Sequence, residues 1–191
     1  MSSVPKSPTT PTHSAYLVVA LGFLAVVSEG YDLIVFGSVV PALLAQPGWD
    51  LTPARVGAIG SLALLGMFVG APASGWLSDR FGRRKLFIGL LIWFSTMMIL
   101  VAVAPTPQLL GLFRFLAGLG FGGIPPTAIA LVVEFAPPRR RVLSNAIMLS
   151  GFSIGGVLAA LLSIALLADI GFRGLFALGA LPLVTLGLAD K

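Results

Sequence analysis

Long apolar runs, separated by short polar clusters, make up most of this sequence. Six runs approach the ~20 residues that a helix needs to cross a hydrocarbon core of about 30 Å. The pattern predicts an all-α membrane protein, with a disordered cytoplasmic tail at 1–15 and a six-helix transmembrane bundle at 16–189. We place the helices at 16–44, 53–77, 86–104, 108–134, 143–168 and 173–189.

The composition indicates that the partner surrounding this bundle is the lipid bilayer. The chain of 191 residues is 57% hydrophobic and only 10% charged, a balance that a water-soluble domain of this size would struggle to keep in solution. The formal charge of +5 comes mostly from two tight clusters, Arg80 to Lys85 and Arg139 to Arg141. Because both clusters lie between apolar segments, they favour an orientation signal and not nucleic-acid binding.

The basic residues also predict how the chain lies in the membrane. An even number of spans puts both termini on one side, and the positive-inside rule makes that side the cytoplasm. The opposite side receives only Arg55 and Arg173. The cytoplasmic side receives Lys6, Arg80, Arg83, Arg84, Lys85, Arg139, Arg140, Arg141 and Lys191.

The sequence offers almost no cysteine or histidine side chains for metal binding or catalysis. The sequence has no cysteine, which excludes disulfides, and its single histidine, His13, lies in the polar tail, so no metal site is predicted. An intramembrane protease needs a serine and histidine pair or two facing aspartates, and no histidine lies in a predicted span. We therefore expect no enzyme activity.

Glycines recur at the spacing that lets membrane helices approach closely. The pairs Gly66 and Gly70, Gly118 and Gly122, and Gly151 and Gly155 each place two small residues four apart. Such spacing predicts tight helix packing in any polytopic bundle.

Three ionisable residues lie inside predicted spans: Glu29 and Asp32 in the first and Arg114 in the fourth. Each costs roughly 2.5–3.5 kcal/mol on insertion scales if it faces lipid, so we expect them to face a polar interior and one another. Glu29 and Asp32 are three residues apart and share a helix face. One hypothesis is that Arg114 binds an anionic substrate group and that Asp32 or Glu29 takes up a coupled proton. The alternative is a static ion pair that joins two helices.

A charged hinge connects the second and third predicted helices. It reads Gly75-Trp-Leu-Ser-Asp79-Arg80-Phe-Gly82-Arg83-Arg84-Lys85, with glycines for a tight turn and basic residues for the cytoplasmic side. This stretch resembles the G-x-x-x-D-R-x-G-R-R loop of the major facilitator superfamily. The resemblance implies the N-terminal half of that fold, with a three-plus-three inverted repeat.

Further motifs resemble the aromatic acid:proton symporter branch of that family, of the benzoate and 4-hydroxybenzoate transporter type. Glu29-Gly30-Tyr31-Asp32, followed by Gly37 and Pro41, is similar to D-G-x-D…G…P in its first helix, although the first acid there is usually Asp. The run from Arg114 to Pro125 resembles its glycine-rich fourth helix. Glu134-Phe-Ala-Pro137 with Arg141 resembles the element that closes that helix.

The resemblance also implies roles for residues outside the membrane. In the family the closing element of the fourth helix forms a cytoplasmic charge network with the Asp-Arg loop. By resemblance, this inner gate comprises Gly75, Asp79, Arg80, Gly82, Arg83, Arg84, Glu134 and Arg141.

The function implied is proton-coupled symport of an aromatic carboxylate across the inner membrane of a bacterium, with no cofactor beyond the coupling proton. A complete member has twelve helices, so we expect a missing C-terminal six-helix half as a partner. Three alternatives stay open: a non-transporting half-size or fragment protein, which includes a regulatory half; a carrier of another small organic anion or metabolite; and a channel.

Overall fold

The computed structural model describes residues 13–180, and these residues form helices without any β-strand. The helices are α1 (His13–Leu44), α2 (Pro53–Phe81), α3 (Arg83–Ala102), α4 (Pro107–Phe135) and α5 (Arg141–Leu178), with a short 3₁₀ turn at Pro138–Arg140. The predicted tail at 1–15 falls outside the described residues except for its last three, which belong to α1. The all-α prediction is confirmed for the described residues.

Two helices begin at the same Thr-Pro signal. Thr52 precedes α2 and Thr106 precedes α4, and each threonine hydroxyl accepts a hydrogen bond from the backbone N–H three residues on, at 3.3 Å. A proline follows each threonine at the first helical position, where no intrahelical N–H partner is lost. These caps explain why both starts lie within one residue of the predicted positions.

The connection between α2 and α3 is shorter than predicted. The predicted helix bounds left a loop at 78–85, but α2 continues to Phe81 and α3 already begins at Arg83. Gly82 alone breaks the helix, with φ 84° and ψ 144°, a conformation open to glycine and strained for other residues. The predicted hinge is therefore one residue long, and most of the motif lies on the two helix ends.

The predicted fifth and sixth helices meet at a second glycine. The helical segment α5 runs from Arg141 to Leu178 but is interrupted at Gly171, where φ is 66° and ψ is −178°. The chain changes direction there, at the place where a loop was expected between 168 and 173. The rest of the predicted sixth helix, beyond residue 180, lies outside the described residues, so the six-helix count is not confirmed.

Glycine-mediated contacts hold the helices in pairs. The most extensive contacts between helices join α1 with α5 and α2 with α4. On α4, a Cβ placed on Gly118 would overlap the carbonyl of Ala63, and one on Gly122 would overlap that of Met67. On α5, a Cβ on Gly155 would overlap the carbonyl of Val27. These helices pack backbone to backbone, as the small-residue spacing predicted.

The surface of the bundle is apolar along most of its length. Five described helices are long and apolar enough to cross a membrane. Phe68 on α2 and Ile164 on α5 are 79% and 84% exposed. Large exposed hydrophobic side chains on helices of this length suit contact with lipid.

Candidate functional site: a buried ion pair between α1 and α4

The three ionisable residues predicted inside the membrane are all buried. Asp32 lies in the middle of α1 and Arg114 in the first third of α4, and their side chains are 0% and 2% exposed. Arg114 Nη1 donates a hydrogen bond to Asp32 Oδ1, and the two charges form a salt bridge. The expectation that helix 1 and helix 4 bring these residues together agrees with this geometry.

Two aromatic rings flank the guanidinium. The Cζ of Arg114 lies 4.7 Å from the ring centroid of Phe36 on α1 and 5.9 Å from that of Phe176 on α5. Both distances are within the range of cation–π attraction, which is strongest where water is excluded. The rings therefore help to stabilise a cation that the membrane interior would otherwise disfavour.

Part of the ion pair has no partner in the described structure. Asp32 Oδ2 and Arg114 Nε are buried, and neither forms a hydrogen bond within residues 13–180. Buried polar atoms in folded proteins normally find a partner, and unsatisfied ones mark strain or a functional site. The free carboxylate oxygen is positioned to take a proton, and the guanidinium keeps a donor for an anion.

Glu29 completes the acidic side of the site. It precedes Asp32 by nearly one helical turn and is only 4% exposed. Glu29 belongs neither to the salt bridge of Arg114 with Asp32 nor to that of Arg83 with Glu134. The site therefore contains one paired acid and one acid without an ionic partner among residues 13–180.

Tyr31 connects this site to the segment that follows the break in α5. Its hydroxyl donates a hydrogen bond to the backbone carbonyl of Leu175, at 2.9 Å. Leu175 directly precedes Phe176, one of the rings beside Arg114. The bond thus holds the segment that carries Phe176 against α1.

Sequence reasoning did not single out Phe36, Phe176 or Tyr31 for this site. Phe36 follows Asp32 by four residues, a spacing that places both on one helix face and gives a usable signal. Phe176 reaches the site from another helix, after a change of direction at Gly171, and nothing in the local sequence indicates it.

The residues of the predicted inner gate lie at one end of the bundle but form only part of the predicted network. Arg83 Nη1 lies 3.9 Å from Glu134 Oε2, with both side chains about half exposed. Arg141 Nε donates to the carbonyl of Ala136 at 3.2 Å, and Arg80 lies over the ring of Trp76, 5.6 Å from its centroid. The contact between Arg83 and Glu134 joins the start of α3 to the end of α4.

The remaining motif residues lie within α2, at the helix break and at the start of α3. Asp79 is exposed in the last turn of α2, and Arg84 is exposed in the first turn of α3. Gly75 lies within α2, where no other atom comes within 4 Å of an added Cβ. Gly82 is the helix break described above.

A bundle of long apolar helices that encloses a desolvated ion pair defines a polytopic membrane protein with a polar interior site. Comparison with known proteins gives the family. Residues 22–189 match the family model described as Major Facilitator Superfamily. The chain belongs to the major facilitator superfamily, a family of transporters and not of enzymes, and the resemblance seen in its motifs is confirmed.

Curated relatives are transporters of aromatic acids. A gentisate transporter of Corynebacterium glutamicum is 40% identical over 169 residues, which cover 87% of this chain and 38% of the relative. A benzoate transport protein of Acinetobacter baylyi is 37% identical over 182 residues, covering 93% of this chain and 38% of the relative. The chain thus spans well under half the length of these relatives.

A solved structure confirms the fold independently of close sequence similarity. The xylose transporter XylE from E. coli, in a partially occluded inward open conformation, matches with a TM-score of 0.81 at 20% identity. The match covers 93% of this chain and 49% of that transporter. At this identity the likeness concerns the fold alone.

Proposed function

We propose that this chain is the N-terminal six-helix half of a secondary transporter that moves an aromatic carboxylate together with a proton. The observation that carries the proposal is the buried pair of Asp32 and Arg114, with an unpartnered oxygen, an unpartnered nitrogen and two aromatic rings beside it. The names of the relatives support the substrate class, because they are transporters of gentisate and of benzoate.

The chemistry of the pair fits exchange between a proton and an anion. A guanidinium presents several N–H donors in a planar fork that matches a carboxylate, and it stays protonated. While Asp32 is ionised, it competes with substrate for Arg114. Protonation of Asp32 removes that competitor, so the guanidinium is free to bind the carboxylate of the substrate, and proton and anion enter the site together.

Glu29 and the aromatic rings complete the proposed site. Glu29 is a second titratable group on the same face of α1 and offers an alternative position for the coupled proton. Phe36 and Phe176 present ring surfaces to the guanidinium, and a substrate ring can pack against such surfaces in offset or edge-on geometry. A site with one cation and two rings suits an aromatic acid better than an aliphatic one.

The bacterial relatives support a location in the bacterial inner membrane, and the distribution of charge supports an orientation with both termini in the cytoplasm. Arg83 contacts Glu134, so the two basic stretches that flank these residues lie at the same end of the bundle. The positive-inside rule makes that end cytoplasmic. There, Asp79, Arg80, Arg83, Glu134 and Arg141 would form part of an inner gate.

Helix pairing supports the three-plus-three inverted repeat. If helices 1 and 2 correspond to helices 4 and 5, the contact of α1 with α5 corresponds to that of α4 with α2. These two pairs make the most extensive contacts in the described bundle, and both contain glycine contacts to backbone carbonyls.

The test is uptake by a completed carrier. The chain is joined to the C-terminal half of the gentisate transporter of C. glutamicum, and initial uptake of radiolabelled gentisate and benzoate is measured in proteoliposomes under an imposed proton gradient. We expect saturable uptake of an aromatic acid that a protonophore abolishes, and little uptake of acetate. The same relative, cut and rejoined at the same junction, is the positive control for the assay.

Four results would contradict the proposal. Uptake that is unaffected by the protonophore and by the gradient would remove proton coupling, and non-saturable flux would indicate a channel. An inserted, folded chimera without uptake, beside an active rejoined relative, would favour a non-transporting half. A clear preference for acetate over the aromatic acids would favour a carrier of another organic anion.

A further inference from the structure

A cavity lies at the end of the bundle opposite the Arg80 to Lys85 cluster. It has a volume of about 260 Å³ and is formed where the connection between α1 and α2 meets the starts of α2 and α4. Its lining includes Trp49, Leu51, Arg55, Ile59, Pro107 and Gln108. Because Asp32 and Arg114 are absent from this lining, the cavity is separate from the buried ion pair.

The lining combines three side chains with aromatic, cationic and amide chemistry. The indole of Trp49 offers a ring face or edge, the guanidinium of Arg55 offers charged donors, and the amide of Gln108 offers a donor and an acceptor. Leu51 and Ile59 add apolar surface to the lining. Ligand sites are typically apolar cavities with a few polar groups that fix orientation.

The loop that carries Trp49 has a defined conformation. Gly48 and Asp50, on either side of it, have φ values of 76° and 42°. Positive φ is uncommon for residues other than glycine, although Asp adopts it more readily than most. The ring of Trp49 packs edge-on against Phe172, with centroids 5.8 Å apart, and the backbone N–H of Trp49 donates to the carbonyl of Gln46 at 3.3 Å. The indole is therefore anchored at the rim of the cavity.

The two arginines at this end of the bundle have different roles. Arg173 Nη2 donates to the carbonyl of Ala104 at 3.2 Å, so this arginine ties the end of the bundle together. Arg55 is exposed, and within residues 13–180 its side chain forms neither a salt bridge nor a hydrogen bond. Arg55 is thus the guanidinium available to an anionic ligand in this cavity.

We propose that this cavity is a second binding site, which takes a single-ring aromatic carboxylate before it reaches the pair of Asp32 and Arg114. The carboxylate binds Arg55, the ring packs on Trp49, and Gln108 bonds a ring substituent or a carboxylate oxygen. The volume of this cavity is large enough for such a ligand, because a cavity of about 150 Å³ holds benzene and a carboxylate adds only a few atoms. The choice of ligand rests on the proposed function, whereas the site itself rests on the geometry of the cavity.

Binding is tested directly on the 191-residue chain labelled with 5-fluorotryptophan in detergent micelles. The sequence contains three tryptophans, Trp49, Trp76 and Trp93, so the other two ¹⁹F resonances serve as internal controls. The Trp49 resonance is assigned by Trp49→Phe, and benzoate is titrated against it. We expect a saturable shift of Trp49 alone, with much weaker responses to acetate, which lacks the ring, and to benzyl alcohol, which lacks the charge.

Variants separate this site from the buried pair. Arg55→Gln is expected to raise the Kd for benzoate by about tenfold, because a hydrogen bond to a charged group contributes on that order. Arg55→Lys is expected to retain part of the affinity. Arg114→Gln and the distant Arg139→Gln are expected to leave the Trp49 titration unchanged, since neither residue lines the cavity. Unchanged Trp76 and Trp93 resonances in Arg55→Gln show that it is folded.

Two outcomes would overturn the proposal. No shift of Trp49 with benzoate would mean that the cavity does not take this ligand. A shift abolished by Arg114→Gln but preserved in Arg55→Gln would mean that Trp49 reports the buried pair instead. Failure of the proposed function is distinguishable, because it is read from proton-coupled uptake by the completed carrier and not from this titration.

Discussion

Arg114 on α4 donates a hydrogen bond to Asp32 on α1 in a salt bridge that is almost completely removed from the surface of the protein. Such a pair is a poor way to join two helices, because the desolvation of both charges offsets much of their attraction. Apolar and glycine contacts already join the other helix pairs of this bundle. The ion pair is therefore better explained by a role in binding than by a contribution to the stability of the bundle.

The two charges should respond unequally to neutralisation. Asp32→Asn leaves a guanidinium that stays charged in a dry interior, whereas Arg114→Gln leaves a carboxylate that can take up a proton. Breaking a buried pair costs about 3–5 kcal/mol, and we expect Asp32→Asn to approach that range and Arg114→Gln to cost less. Thermal unfolding of the purified chain, followed by tryptophan fluorescence, measures both variants.

The double variant Asp32→Asn with Arg114→Gln is the control for that comparison. Without either charge, most of the lost stability should return, because no unpaired ion is left inside the bundle. If the double variant is as unstable as the sum of the single variants, the two residues do not form the coupled pair described here.

Phe36 should stabilise the guanidinium beyond its contribution to apolar packing. Replacement by Leu keeps most of the buried apolar volume but removes the ring face, and a desolvated cation–π contact contributes about 0.5–2 kcal/mol. We therefore expect Phe36→Leu to lower the unfolding temperature more in the presence of Arg114 than in an Arg114→Met background. Phe94→Leu, at a buried ring that contacts Phe121, controls for the loss of aromatic packing alone.

If Phe36→Leu lowers the unfolding temperature equally in both backgrounds, Phe36 contributes to packing only. In that case Phe176, 5.9 Å from the guanidinium, would be the next ring to test.

Glycine substitutions should separate helix packing from helix propensity. Gly118→Ala places a methyl group against the carbonyl of Ala63, and overpacking of this kind costs about 1–3 kcal/mol. Gly89→Ala, on α3 with no atom within 4 Å of the added Cβ, should be neutral or stabilising by up to about 1 kcal/mol. Unfolding temperatures of the two variants in the same micelle give the comparison. Equal temperatures would contradict the close approach of α2 and α4.

Gly82 should be intolerant of a side chain for a different reason. Space is open around it, but its φ of 84° and ψ of 144° are strained for any residue with a Cβ, at about 1–3 kcal/mol. We expect Gly82→Ala to lower the unfolding temperature, whereas Gly75→Ala in the regular part of α2 should not. Full stability of Gly82→Ala would mean that the break between α2 and α3 is not fixed at this residue.

Sequence alone predicts much of this structure because the bilayer imposes strict lengths on apolar helices and a high cost on buried charge. These two constraints located four helices to within a few residues and indicated that Asp32 and Arg114 approach each other. They do not determine how far a helix extends into the polar region, so the continuation of α2 to Phe81 was missed. They also do not reveal contacts made across a change of direction, and Phe176 reaches Arg114 only because the chain turns at Gly171.

The central claim is that Asp32 and Arg114 bind proton and substrate, and do not merely join two helices. It is tested most directly by uptake through the completed carrier that carries both Asp32→Asn and Arg114→Gln, measured with the aromatic acid that the unsubstituted carrier transports. We predict a folded protein, with an unfolding temperature near that of the unsubstituted carrier, and no uptake above that of empty vesicles. Uptake at the unsubstituted rate, with its dependence on the proton gradient intact, would contradict the claim and leave the pair a structural joint.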